Sequence, residues 1–243
     1  MIHKILKTKT IQWLSSKDCS IKDLISYIKK KGELRDAQIE AIQVYLFLKI
    51  KGQNKPLWQL FSEGFFTNNT DHSTLNINDT ARTYLANNIN ASALYDFARQ
   101  EEDGTTLLPN LANMIVNHCD KVEYEKIIKN IFYNVSYTDY LMSLPMGAGK
   151  TYLMAAFIYI DLYFASNEPE NKKFAHNFLV LIPSGLKTSI GPSLRTIEQF
   201  DPSWVIPEPS ATNLRKQLIF DFLDEPKSVK KSNKARNPNA QKV

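Results

Sequence analysis

Residues 143–151 read Ser-Leu-Pro-Met-Gly-Ala-Gly-Lys-Thr, an order of types that can grip a polyphosphate. Gly147 and Gly149 let the backbone adopt positive φ and bring N–H groups close to phosphate oxygens. A helix opening at Lys150 adds its unsatisfied first-turn N–H groups and the positive end of its dipole. Lys150 supplies a point charge for the β- and γ-phosphates, and Thr151 can set a hydroxyl on Mg²⁺. Lys150 and Thr151 are therefore the candidate catalytic residues. Pro145, Met146, Gly147, Ala148, Gly149, Lys150 and Thr151 form the candidate cofactor-binding wall, with Thr151 also the metal-facing group. The bland alternative is a Gly-Ala-Gly turn ahead of a core helix. An apolar run before the loop and a long apolar run after it favour phosphate binding.

The strict phosphate-loop pattern begins with glycine, whereas this one begins with Leu144. The form from Leu144 to Thr151 resembles motif I of superfamily-two DEAD-like helicases. The stretch "LVLIPSG", 179–185, resembles motif Ia of the same family. That resemblance implies nucleic-acid phosphate contact by Ser184 and Gly185, with Lys187 adding charge; without it, Ser184 is an ordinary helix cap. "LRDAQ", Leu34 to Gln38, resembles the family's adenine-reading motif, in which a glutamine amide pairs with the N6 donor and N7 acceptor of adenine. Gln38 stands 112 residues before Lys150, farther than in the family, which implies an intervening helical insertion or a chance match. With that insertion the chain resembles the helicase (Res) subunit of type III restriction enzymes. The resemblance implies ATP and Mg²⁺ as cofactors, DNA as a partner, and a methyltransferase or specificity subunit beside it.

Three neighbouring patterns look like chemistry and are better explained otherwise. "LIFDFLDEP" offers Asp224 and Glu225 as a Walker B pair, yet Leu214, Leu218 and Phe222 follow helical spacing, so a surface helix is expected, capped by Ser210 or Thr212. "SAT", 210–212, spells the helicase coupling motif but precedes the acidic pair that it should follow. Glu225-Pro226-Lys227 imitates a nuclease triad without its upstream aspartate. Nothing here makes a metal cluster: Cys19 and Cys119 lie a hundred residues apart, and the four histidines are scattered.

These residues need elements to hold them. Residues 1–130 read as a helical region. Helices are expected over 20–31, with Ser20 as cap and Gly32 as stop, over 34–51 with Gly52 as stop, and over 56–62, 79–87, 91–100, 108–118 and 123–133. From 131 to 225 the grammar changes: "YTDYLMSL" and "FLVLIPS" read as buried strands, "SWVIP" as a third, with helices between them. That alternation predicts an α/β fold, a mainly helical N-terminal domain followed by a partial RecA-like domain with a parallel sheet. Residues 226–243 read as a basic flexible tail or linker.

Composition sets the bounds. The chain has 243 residues, 43% of them hydrophobic, enough for a packed core. Of its 30 Lys and Arg residues, six lie in the 226–243 tail with no acid, leaving 24 basic against 25 acidic residues elsewhere. The net charge of +5 therefore comes from the tail and marks no basic face on the body. The longest apolar run, Tyr152 to Ala165, contains Asp161 and is too short for a membrane span of about 20 residues. Two cysteines and no targeting segment suit the cytoplasm. The expectation is an N-terminal fragment of an ATP-dependent DNA translocase, inactive alone for want of a second RecA-like domain. The alternatives are a small phosphotransferase, with only Arg195 and Arg215 to complete its site, or a helical binding module with a vestigial loop.

Overall fold

The computed structural model describes residues 2–67, 74–102, 104–181, 187–220 and 241–242. Its contacts divide the chain into two units, one formed by 1–13 and 47–141, the other by 14–46 and 142–243.

The first unit carries most of helix α1 (Ile2–Ser15), then α4 (Leu57–Ser62), α5 (Asp79–Asn87), α6 (Ile89–Ala98), α7 (Pro109–Asn117) and α8 (Tyr124–Ile131). Their starts are locally encoded. The Asn78 side chain accepts from the Ala81 N–H at 2.7 Å, and Pro109 sits in the first turn of α7, where its missing N–H costs nothing. Leu60, Leu85, Leu94, Ile115 and Ile128 fill the centre, and Phe61 meets Phe97 edge-on at 5.5 Å. A hairpin of two-residue strands, β1 (Glu101–Glu102) and β2 (Thr105–Thr106), turns at Gly104.

The second unit holds α2 (Lys22–Lys31), α3 (Asp36–Leu46), α9 (Lys150–Asn167), α10 (Lys187–Glu198) and α11 (Ser210–Gln217). Gly32 stops α2 in the left-handed conformation, φ 73°, as its position foretells. Ser20 does not cap that helix: Ile21 takes the cap position with no side-chain hydrogen bond. Helix α3 ends at Leu46; the π-helical segment Phe47–Lys51 belongs to the first unit. Helix α9 is apolar on every side and buries Leu153, Ala156, Ile158, Tyr159, Ile160 and Leu162, as an all-round hydrophobic helix must.

Among the described residues the expected parallel sheet built on the phosphate loop is not there, and the α/β assignment is corrected to a mainly helical one. Residues 137–144 and 178–181 form no strand, and 203–207 contribute a short 3₁₀ turn, Pro202–Trp204, instead of a strand. Both of the first two segments, expected as buried strands, show a period-two alternation of exposure instead of burial on both faces. Tyr140, Met142 and Leu144 are half-buried while Leu141 between them is 92% exposed; Leu179 and Leu181 are 75% and 80% exposed. Alternation reports only that successive side chains face opposite ways. A ladder also needs a neighbouring chain to take up the N–H and C=O groups, and among the described residues no strand lies beside either segment. The second unit's strands are β3 (Leu218–Ile219) and β4 (Gln241–Lys242), a two-residue parallel pair. The helix foreseen from Leu214 to Phe222 stops at Gln217, and its cap is Pro209; Glu208 accepts the Thr212 N–H at 3.2 Å in place of a Ser210 or Thr212 cap. Asp224 and Glu225 lie outside the described residues.

Candidate functional site: the 145–151 loop

The loop's two glycines are both in the left-handed region, at φ 76° each, a conformation that other residues adopt only at a cost. They differ in surroundings. A Cβ on Gly147 would meet nothing within 4 Å, so this glycine faces open space. A Cβ on Gly149 would lie 2.6 Å from the Nε2 of Gln38. Gly149 is also the N-cap of α9, and its carbonyl accepts the Leu153 N–H at 3.0 Å. The Ala148 N–H turns inward to Pro145 O at 3.2 Å, and the Ala148 side chain is buried. Met146 is 97% exposed at the loop's tip.

Without a strand in front of it, this loop needs another support, and α3 provides it. Arg35 donates from its guanidinium to Gly147 O at 2.5 Å. Gln38 donates from Nε2 to Gly149 O at 2.9 Å, across 111 residues of sequence. The Gln38 amide is itself fixed, because its Oε1 accepts the Arg35 N–H at 2.8 Å. Leu34 packs into the core and roots the segment, and Gln38 is only 4% exposed. The "LRDAQ" stretch and the glycine loop, linked in sequence only by resemblance, therefore touch. Gln38 reaches the loop's backbone with one donor and its own helix start with one acceptor. It acts as a brace, with the second N–H and the second lone pair of its amide uncommitted in this hydrogen-bond pair.

Lys150 and Thr151 open α9, Lys150 exposed and Thr151 half-buried. The first-turn N–H groups of α9 have no intrahelical partners and stand where an anion would sit. Thr151 fits the role of one hydroxyl ligand to a Mg²⁺ that arrives with phosphates. Among the described residues no cluster of His, Cys, Asp or Glu could hold a metal without them.

Helices α3 and α9 are locked a second time, further along. The Tyr45 hydroxyl donates to Asp161 Oδ1 at 2.6 Å, and the Ala175 N–H donates to Oδ2 at 3.0 Å. Asp161 is 1% exposed, and the Tyr45 ring lies 4.4 Å from that of Phe157. This acid sits inside the longest apolar run, and only its partners from elsewhere in the chain explain it.

The motif Ia candidates Ser184 and Gly185 lie outside the described residues; Lys187 begins α10. A pair of residues missed from sequence begins directly after the loop. Tyr152, the third residue of α9, stacks on Trp204 with ring centroids 5.6 Å apart and planes 12° from parallel. Tyr152 reads as one more apolar residue of a core helix, and no spacing rule links it to Trp204.

No helix among the described residues is long and apolar enough to cross a membrane. Comparison of the chain with protein-family models, curated proteins and solved structures finds no match among them.

Proposed function

We propose that this chain binds a nucleoside triphosphate through residues 145–151 and serves as the ATP-binding part of an ATP-dependent DNA translocase of the restriction or phage-defence kind. The observation that carries the reading is the pair of hydrogen bonds from Arg35 and Gln38 to Gly147 O and Gly149 O. A chance Gly-Ala-Gly turn gives no reason for a distant Leu-Arg-x-x-Gln segment to close on both glycines. Two motifs that resemble parts of one ATP site, met in one place, do give that reason.

In this reading Gly147 and Gly149 present backbone N–H groups to the phosphates, Lys150 neutralises the β/γ charge, and Thr151 joins the metal's shell. Gln38, buried beneath the loop, holds it in place through Gly149 O. None of these roles requires the parallel sheet. DNA, and a methyltransferase or specificity subunit, belong to the reading as partners through the helicase resemblance.

Calorimetric titration with Mg·ATP tests it. The chain should bind, and Lys150→Ala should weaken binding by tenfold or more, as loss of a charge-assisted phosphate contact does. Equal affinity in the two proteins would overturn the assignment. Double-stranded DNA should in turn raise the affinity for ATP, by linkage between two ligands of one motor.

A further inference from the structure

We propose that the Tyr152–Trp204 pair is the platform on which the base of the bound nucleotide stacks. The inference rests on the phosphate-loop reading above and adds where the base goes. Tyr152 follows Lys150 and Thr151 directly, so its ring is the first large side chain past the phosphate grip. It leans against the loop: a Cβ on Gly149 would stand 3.9 Å from Tyr152 Cδ2. Tyr152 is 42% exposed although it belongs to a helix otherwise buried over most of its length, and Trp204 is half-buried.

The pair is held still from beneath. Phe200, 2% exposed, meets Trp204 at 5.3 Å and 68°, and stacks on buried Tyr159 at 5.8 Å. The turn carrying Trp204 is pinned twice: Asp201 accepts the Ser203 N–H at 2.9 Å, and the Tyr27 hydroxyl donates to Ser203 O at 2.6 Å. An aromatic surface held in place before binding loses little entropy when a ring lies on it. Aromatic stacking is tolerant of base identity because every base has a π-face, so the platform favours purines by area and does not read one base.

Calorimetry with Mg²⁺ complexes of ATP, GTP, CTP and tripolyphosphate separates this inference from the one beneath it. Tyr152→Ala should lower the affinity for ATP and GTP roughly tenfold and leave that for tripolyphosphate unchanged. Tyr152→Phe should restore the purine affinities and, with a matching thermal midpoint, exclude misfolding as the cause. If Tyr152→Ala shifts ATP and tripolyphosphate by the same factor, or shifts neither, the base does not stack there and the inference fails alone. If Lys150→Ala leaves tripolyphosphate binding intact, or the wild-type chain binds none, the phosphate-loop reading fails and this inference goes with it.

Discussion

Gln38 Nε2 lies 2.9 Å from Gly149 O, so a glutamine of α3 bonds the residue that caps α9. The same amide occupies the space that a side chain at position 149 would need. The glycine is thus required for two separable reasons, its positive φ and its neighbour.

Gly147→Ala and Gly149→Ala distinguish them. Both incur the cost of a left-handed non-glycine residue, about 1–2 kcal/mol. Only Gly149→Ala also drives a Cβ into Gln38 at 2.6 Å. Urea denaturation should therefore show Gly149→Ala as the more destabilised variant, and Gln38→Ala combined with it should recover part of the difference. Equal losses for the two single variants would mean that Gln38 yields freely.

Removing the brace should alter binding more than folding. Arg35 is exposed, so Arg35→Ala should change stability by less than about 1 kcal/mol. It frees Gly147 O, however, and the loop must then be ordered at the moment of binding. A several-fold loss of Mg·ATP affinity at nearly constant thermal midpoint is expected. An unchanged affinity would show that the loop holds its shape unaided.

Asp161→Ala should destabilise the second unit although it removes no apolar core side chain. It removes the acceptor shared by the part-buried Tyr45 hydroxyl and Ala175 N–H, at a side chain that is itself 1% exposed. A loss of about 1–3 kcal/mol follows from the two hydrogen bonds removed. Asp161→Asn keeps an acceptor for Tyr45 and should lose less. A shift in urea midpoint equal for both variants would contradict this account.

Alkaline pH should unfold the chain in a defined window. Burial pushes the Tyr140 phenol up to about 12, and burial raises those of Tyr124 and Tyr159 as well. In the unfolded chain tyrosine loses its proton near 10. Above that pH the unfolded state binds fewer protons than the folded one, so stability is full below about pH 10 and falls as pH rises toward 12. Tyr140→Phe should remove part of that slope while changing stability at pH 7 only by the loss of a 3.3 Å hydrogen bond to Lys55 O. Parallel slopes for the two proteins between pH 10 and 12 would show that Tyr140 ionises as freely folded as unfolded.

Helix positions were legible because their signals are local. Periodicity and Gly32 past α2 act within one turn of chain, and the helices expected over 79–87, 91–100, 108–118 and 123–133 are observed within about two residues of those bounds, whereas α1 (Ile2–Ser15) was not foreseen and Ser20 does not cap α2. The glycine–lysine–threonine loop was legible for the same reason, as its glycines must supply positive φ wherever the chain runs next. Strands were misread because pairing is not local. The alternation along 140–144 is genuine, but hydrogen bonding depends on a neighbour that no window of sequence contains. The sequence determined the loop's backbone chemistry and the helices around it. Only tertiary structure decided that Gln38 and Arg35 close on that loop, that the Asp161 side chain accepts from the Tyr45 hydroxyl, and that Tyr152 finds Trp204. Each of those contacts joins residues dozens of positions or more apart, and such distances are fixed by the packing of whole helices.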